Sequence, residues 1–198
     1  MSVTAKTHGN KLHVTFKGTH NTVVNSFRRL ILDEVPTFAV EDVEVVLNDS
    51  PLYDEALAHR LGLIPLKTDY KSYNMKDNCK CGGVGCALCE VKMTLKQDDE
   101  GYVYSSAIKS DDPKIVPSDL GIPITKIVGE GSVEMNLKAV LGKGREHSKW
   151  APAHTYLKEG KGTVDLVIEP FGQLEGKEIF NKAVDIMVDK ITELEGKL

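Results

Sequence analysis

At 198 residues, 41% hydrophobic and 27% charged, the chain has the length of one large domain or two small ones and the make-up of a globular protein able to build a core. A net charge of −4, from 25 basic and 29 acidic residues with no long basic run, offers nucleic acid no attractive field, so no direct nucleic-acid partner is expected. No run of about 18 apolar residues occurs, and the N-terminal MSVTAKTHGNK lacks an apolar signal core, so neither membrane spanning nor secretion is expected and a cytoplasmic location is.

In chain order, Leu12, Val14 and Phe16 alternate with polar residues until Gly18 and predict the opening strand. From about Asn21 the period lengthens. Val23, Phe27, Leu30 and Ile31 share one helical face that stops before Pro36, with Arg28, Arg29, Asp33 and Glu34 on other faces. Val43, Val45 and Leu47 predict a second strand. Ser50-Pro51 then supplies an N-cap and a first-turn proline for a short helix ending near Gly62, which suits a left-handed cap, with Arg60 placed to bond carbonyls.

All four cysteines, Cys79, Cys81, Cys86 and Cys89, lie within CKCGGVGCALC at 79–89. Four soft ligands on a sharply turning chain fit a tetrahedral metal, and Gly82, Gly83 and Gly85 give the backbone that freedom. Disulfides fit poorly, because Cys79 and Cys81 are too close and nothing directs the chain to an oxidising compartment. Cys86 and Cys89 alone form a redox-type CxxC, but such pairs usually open a helix beside a βαβ unit rather than sit in a glycine-rich loop. One zinc ion is the leading expectation, with iron or an iron–sulfur cluster behind it. Lys76, Lys80 and Lys92 are near enough in sequence to balance the excess thiolate charge. Four protein ligands leave no open position for substrate, so the site reads as a structural clip.

Beyond the cysteines, Val91, Met93 and Leu95 predict a strand, with 102–108 as its hairpin partner across Asp98-Asp99-Glu100-Gly101. Residues 109–123, with three prolines, read as irregular, and Val133, Met135, Leu137 and Ala139 as a strand. Val164, Leu166 and Ile168 give a late strand. A long helix from about Leu174 carries Phe180, Val184, Met187, Ile191 and Leu194 as an apolar stripe. The first strand and helix and the last strand and helix are each too small to bury their apolar faces alone, so they are expected to pack together or on a second chain.

Catalytic patterns are missing. GQLEGK at 172–177 has the wrong glycine spacing for a phosphate loop and is followed by Glu178 rather than Ser or Thr. GKGREH at 142–147 lacks the third glycine of a dinucleotide fingerprint, and the six histidines form no HExxH pair. The pairs Asp98-Asp99 and Asp111-Asp112 read as solvated turn charges.

The segment NSFRRLILDEVPTFAVEDVEVVLNDSPLYDEALAHRLGLIPLK at 25–67 resembles the archaeal RNA polymerase D-subunit family, counterpart of the third-largest eukaryotic polymerase subunit and of the bacterial alpha-subunit N-terminal domain. GKGREHSKWAPA at 142–153 and the closing FGQLEGKEIFNKAVDIMVDKITEL are similar to further blocks of that family. The resemblance implies an α+β fold: a discontinuous dimerisation domain of 1–38 with 155–198, and an inserted, mainly-β domain over 39–154 carrying the four-cysteine loop. It implies a non-catalytic subunit that pairs with subunit L and, with other small subunits, forms the platform for the largest and second-largest polymerase subunits. Phe27, Leu30, Ile31, Val35, Phe180, Val184 and Met187 are the residues implied at the subunit L interface, and Arg28 and Arg29 resemble a pair that contacts a large subunit. Arg145, His147, Lys149 and Trp150 are implied contacts to the second-largest subunit. The cysteine spacing resembles the eukaryotic counterpart's zinc loop with one extra central residue, and no second cysteine set for an iron–sulfur insertion is present.

Overall fold

The structure, a computed structural model, describes residues 1–198. In chain order its elements are β1 (Ser2–His8), β2 (Lys11–Lys17), α1 (Asn21–Asp33), β3 (Thr37–Asn48), α2 (Asp54–Gly62), β4 (Glu90–Gln97), β5 (Gly101–Tyr104), β6 (Ile108–Ser110), β7 (Pro123–Ile127), β8 (Val133–Gly142), β9 (Ala153–Gly160), β10 (Thr163–Pro170) and α3 (Gly176–Glu195). The fold class is the expected α+β. Two compact units form, one from Met1–Pro36 with Lys143–Leu198 and one from Thr37–Gly142. Residues 143–154, expected with the insert, thus belong to the discontinuous unit. The reason is local: the Arg145 N–H bonds the Asp33 carbonyl at the end of α1.

The discontinuous unit is an antiparallel sheet in the order β1-β2-β10-β9. Val14 sits opposite Leu166 and Phe16 opposite Val164, so the alternating apolar residues of β2 and β10 share one face. Val24 and Ile31 of α1 and Ile179 and Ala183 of α3 are buried. Two strands escaped the periodicity reading. Every residue of β1 is exposed, and most of β9 lacks a buried alternating face, so neither carries the pattern that marks a strand. Their turns were the available signal: Gly9-Asn10 and Lys161-Gly162 are two-residue hairpin loops, with left-handed Gly9 (φ 61°) and Gly162 (φ 75°).

The continuous unit holds a second antiparallel sheet, β3-β8-β4-β6, and the separate pair β5-β7. Its core gathers Phe38, Leu57, Leu61, Leu66, Met93, Leu95, Met135 and Leu137, all buried. Three local expectations change. The expected hairpin across 98–101 does not form: β4 pairs with β8 and β6, while β5 pairs with β7. Gly101 at φ 133° takes the chain away from β4, where Leu95 is left opposite Ile108. Helix α2 begins at Asp54, because the Asn48 side chain holds Ser50-Pro51 in a turn by accepting from the Ser50 N–H and hydroxyl. Gly62 is not left-handed; the helix closes on Leu63, and Arg60 donates to the Pro123 carbonyl of β7 at 2.7 Å.

Candidate metal centre and partner surface

The four cysteines converge. Their Sγ atoms all lie within 4.8 Å of one another, with Cys79–Cys86 and Cys81–Cys89 at 3.6 Å and Cys86–Cys89 at 3.8 Å. A tetrahedral thiolate site with metal–sulfur bonds near 2.3 Å places its sulfurs about 3.8 Å apart, whereas a disulfide needs about 2.05 Å. The spacing therefore fits one ion among four free thiols. A 3-10 turn at Lys76–Asn78 delivers Cys79, and Cys89 immediately precedes β4. Between them, Gly82 (φ 67°), Gly83 (φ 84°) and Gly85 (φ 106°) adopt left-handed backbone, and a Cβ at Gly85 would run into the Glu90 carboxylate.

The loop aims its own amides at the sulfurs. The Cys86 N–H donates to Cys89 Sγ at 3.3 Å, and N–H groups of Cys81, Gly83 and Gly85 reach the sulfurs of Cys79 and Cys81. The Gly85 N–H, then the Cys79 thiol, with smaller help from Cys89 and the Gly83 N–H, hold the Cys81 thiol down to about 6, while burial pushes Cys89 up to about 12. A divalent cation shared by all four would favour thiolate on each. The donor set is soft, amide-supported and complete, which suits a structural ion.

The second candidate surface belongs to the discontinuous unit. Phe27 of α1 and Phe180 of α3 are half-buried, with ring centroids 5.8 Å apart, and both meet the buried Phe16 of β2 at 5.8 and 6.2 Å. Leu30, Val184 and Met187 are half-buried, and Val23, Val188, Ile191 and Leu194 are 42–60% exposed. The apolar face on α1 and α3 is thus only partly covered by the chain itself. Ile31 and Val35 differ from the expectation, being fully buried (0% exposed) in the core. They can support a partner surface but cannot touch a partner.

The block at 142–152 also divides. Trp150 is buried, with Lys149 Nζ 4.4 Å from its ring centroid, and His147 Nδ1 accepts the Lys149 N–H, closing a short 3-10 turn. Arg145 is exposed and pairs with Glu34. Arg28 bonds Asn25 Oδ1 at 2.9 Å, and Arg29 is exposed. Periodicity missed Glu34 itself, which takes Lys143 at 3.0 Å, Lys190 at 3.1 Å and Arg145 at 3.4 Å. Burial works to raise its pKa, but the bonds from Lys143 and Lys190 bring it below the ordinary glutamate value. The available signal was the absence of any basic residue in the last turn of α1.

The RNA polymerase Rpb3/RpoA insert domain family matches residues 43–160. The chain is 44% identical to the DNA-directed RNA polymerase subunit Rpo3 of Methanosphaera stadtmanae over 80% of its own length and 60% of that protein. It is 39% identical to the Rpo3 of Archaeoglobus fulgidus over 72% of this chain and 54% of that one, and 42% identical to the Rpo3 of Pyrococcus furiosus over 72% and 52%. The chain therefore spans a little over half the length of these curated relatives. With more than half of its residues inside the family match and this identity to archaeal relatives, the chain belongs to the RNA polymerase Rpb3/RpoA family, in its archaeal Rpo3 branch.

Proposed function

We propose that this chain is a non-catalytic architectural subunit of a cytoplasmic DNA-directed RNA polymerase. In this reading it pairs with the small subunit L through α1 and α3, joins other small subunits, and gives the largest and second-largest subunits a platform on which to assemble. The observation that carries the reading is the apolar face of Phe27, Leu30, Phe180, Val184 and Met187, flanked by exposed Val188, Ile191 and Leu194, which the unit's own sheet leaves open. Family membership supplies the class of partner, and the lack of a catalytic constellation agrees with a role in assembly. The four-thiolate loop holds one zinc ion that stiffens the continuous unit.

Co-expression with subunit L from the same source tests the pairing. A stable one-to-one complex is expected, with the unpaired chain self-associating or poorly soluble. A stable monomer with no affinity for L would end this reading. Elemental analysis should find about one zinc per chain, in a colourless, redox-inert protein. Visible absorption with reversible electron uptake would instead favour a redox protein using Cys86 and Cys89.

A further inference from the structure

The C-terminal end of α1 is finished by parts of the chain far away in sequence. A helix leaves its last carbonyls unpaired and its C-terminus partly negative, and here the N–H of Arg145 reaches the Asp33 carbonyl at 3.1 Å. Gly144 lies so close to the Leu32 carbonyl that a Cβ would collide with it. The Glu34 side chain, 12% exposed, then divides its two oxygens. Oε2 takes Lys143, while Oε1 takes both Arg145 of the block and Lys190 of α3. From this anchor the block folds through successive turns, with Glu146 N–H to the Lys143 carbonyl at 2.9 Å and Trp150 N–H to the His147 carbonyl at 3.1 Å. Gln173, just before α3, donates to the Ala151 carbonyl at 3.3 Å and holds the far end.

One carboxylate oxygen is therefore shared between the block and the helix whose other residues line the open apolar face. Without that charge, three cations would face one another, and only the bonds from the Arg145 N–H to Asp33 and from Gln173 to Ala151 would be left to hold the block. We infer that Glu34 is a positioning residue that pins the 143–150 block to the α1–α3 pair, so that the helix face and the block are presented to partners as one composite surface and a partner on the helices is felt at the block. This inference rests on the proposed function only for the identity of the helix partner. The pin itself is a property of this chain alone.

Amide hydrogen exchange at 143–150, measured on the full chain with and without subunit L, tests it. In the unmodified chain, L is expected to slow exchange of the block at least fivefold. In Glu34→Gln, exchange of the block in the free chain should rise about tenfold or more, and the slowing by L should fall below twofold, with affinity for L within about threefold. Glu34→Asp, which keeps the charge, should recover part of both effects. Lys190→Met, which removes only the α3 arm, should leave the free block near its normal exchange while abolishing the response to L, and it serves if Glu34→Gln fails to fold. Unchanged block exchange in Glu34→Gln, or undiminished slowing by L in Lys190→Met, would overturn the inference. If L fails to bind the unmodified chain, the proposed function falls instead, and the free-chain comparison still decides the pin.

Discussion

The two units of this chain solve the burial problem differently. The continuous unit closes its core by itself: Phe38, Leu57, Leu61 and Leu66 are sealed among the inward residues of β4 and β8, and four cysteines converge in the loop that precedes β4. The discontinuous unit buries one face of each helix on its sheet and leaves a second apolar stripe half-open. The contrast separates two uses of hydrophobic surface. A sealed core supplies stability that does not depend on context, whereas an open stripe supplies binding energy realised only with a partner.

The largest effect expected from breaking this contrast is at the cysteines. Cys89→Ser replaces a fully buried cysteine and, if the proposed ion is bound, should drop it from about one per chain to near zero, with several kcal/mol lost from the continuous unit. Elemental analysis paired with calorimetry reads both. Next come two phenylalanines that should behave oppositely. Phe38→Ala, in the sealed core, should cost about 3–5 kcal/mol of unfolding free energy with or without a partner. Phe180→Ala, half-exposed, should cost the isolated chain at most about 1–2 kcal/mol but weaken the proposed pairing with L by about 30-fold or more. Equal behaviour of the two would erase the distinction between the units.

A smaller effect is expected at Gly144→Ala, which forces a Cβ onto the Leu32 carbonyl and should cost about 1–3 kcal/mol. Its signature is a lower urea midpoint with an unchanged slope. The smallest concerns Asp69 in the continuous unit. The Ser72 hydroxyl, opposed by burial and helped by Lys114 and the N–H groups of Lys71 and Ser72, holds its carboxyl down to about 2. Because the folded pKa is the lower one, this stabilisation is present above the ordinary aspartate value and is lost as the pH falls toward about 2. Asp69→Asn should therefore lose at most about 1 kcal/mol at neutral pH and converge with the unmodified chain near pH 2, as followed by urea unfolding across that range.

What the sequence made legible follows from how many faces each element buries. β2, β4 and β8 each bury alternate residues, and α1 and α3 carry clear helical periods, so all five were readable. Strand β1 buries nothing, and β3 is broken by bulges at Val40/Asp42 and Val45/Leu47, so its alternation carries only part of the strand. On α3 the spacing singled out Phe180, Val184 and Met187, yet the residues buried in the unit are their neighbours Ile179 and Ala183. A helix apolar on more than one side does not say by period alone which side meets its own sheet. The convergence of the four cysteines was legible because they are local in sequence, but the amides that point at the sulfurs depend on backbone angles. Beyond the lack of a basic residue in the last turn of α1, nothing local marked Glu34 as a hub, because its cations come from 109, 111 and 156 residues away.

The interrupted path of the first unit also sets a timetable for synthesis. Residues 37–142 are contiguous, so the continuous unit can complete its sheet as soon as β8 has left the ribosome. Strand β2 must wait, because its central neighbour is β10, with Leu12 paired to Ile168 across the whole intervening unit. During that interval Leu12, Val14, Phe16 and the apolar side of α1 have no β10 to cover them, and such delayed long-range pairing is the slow, aggregation-exposed step of a nascent chain. The order of translation thus makes the discontinuous unit the last to fold, and chaperone demand should fall on its first 36 residues.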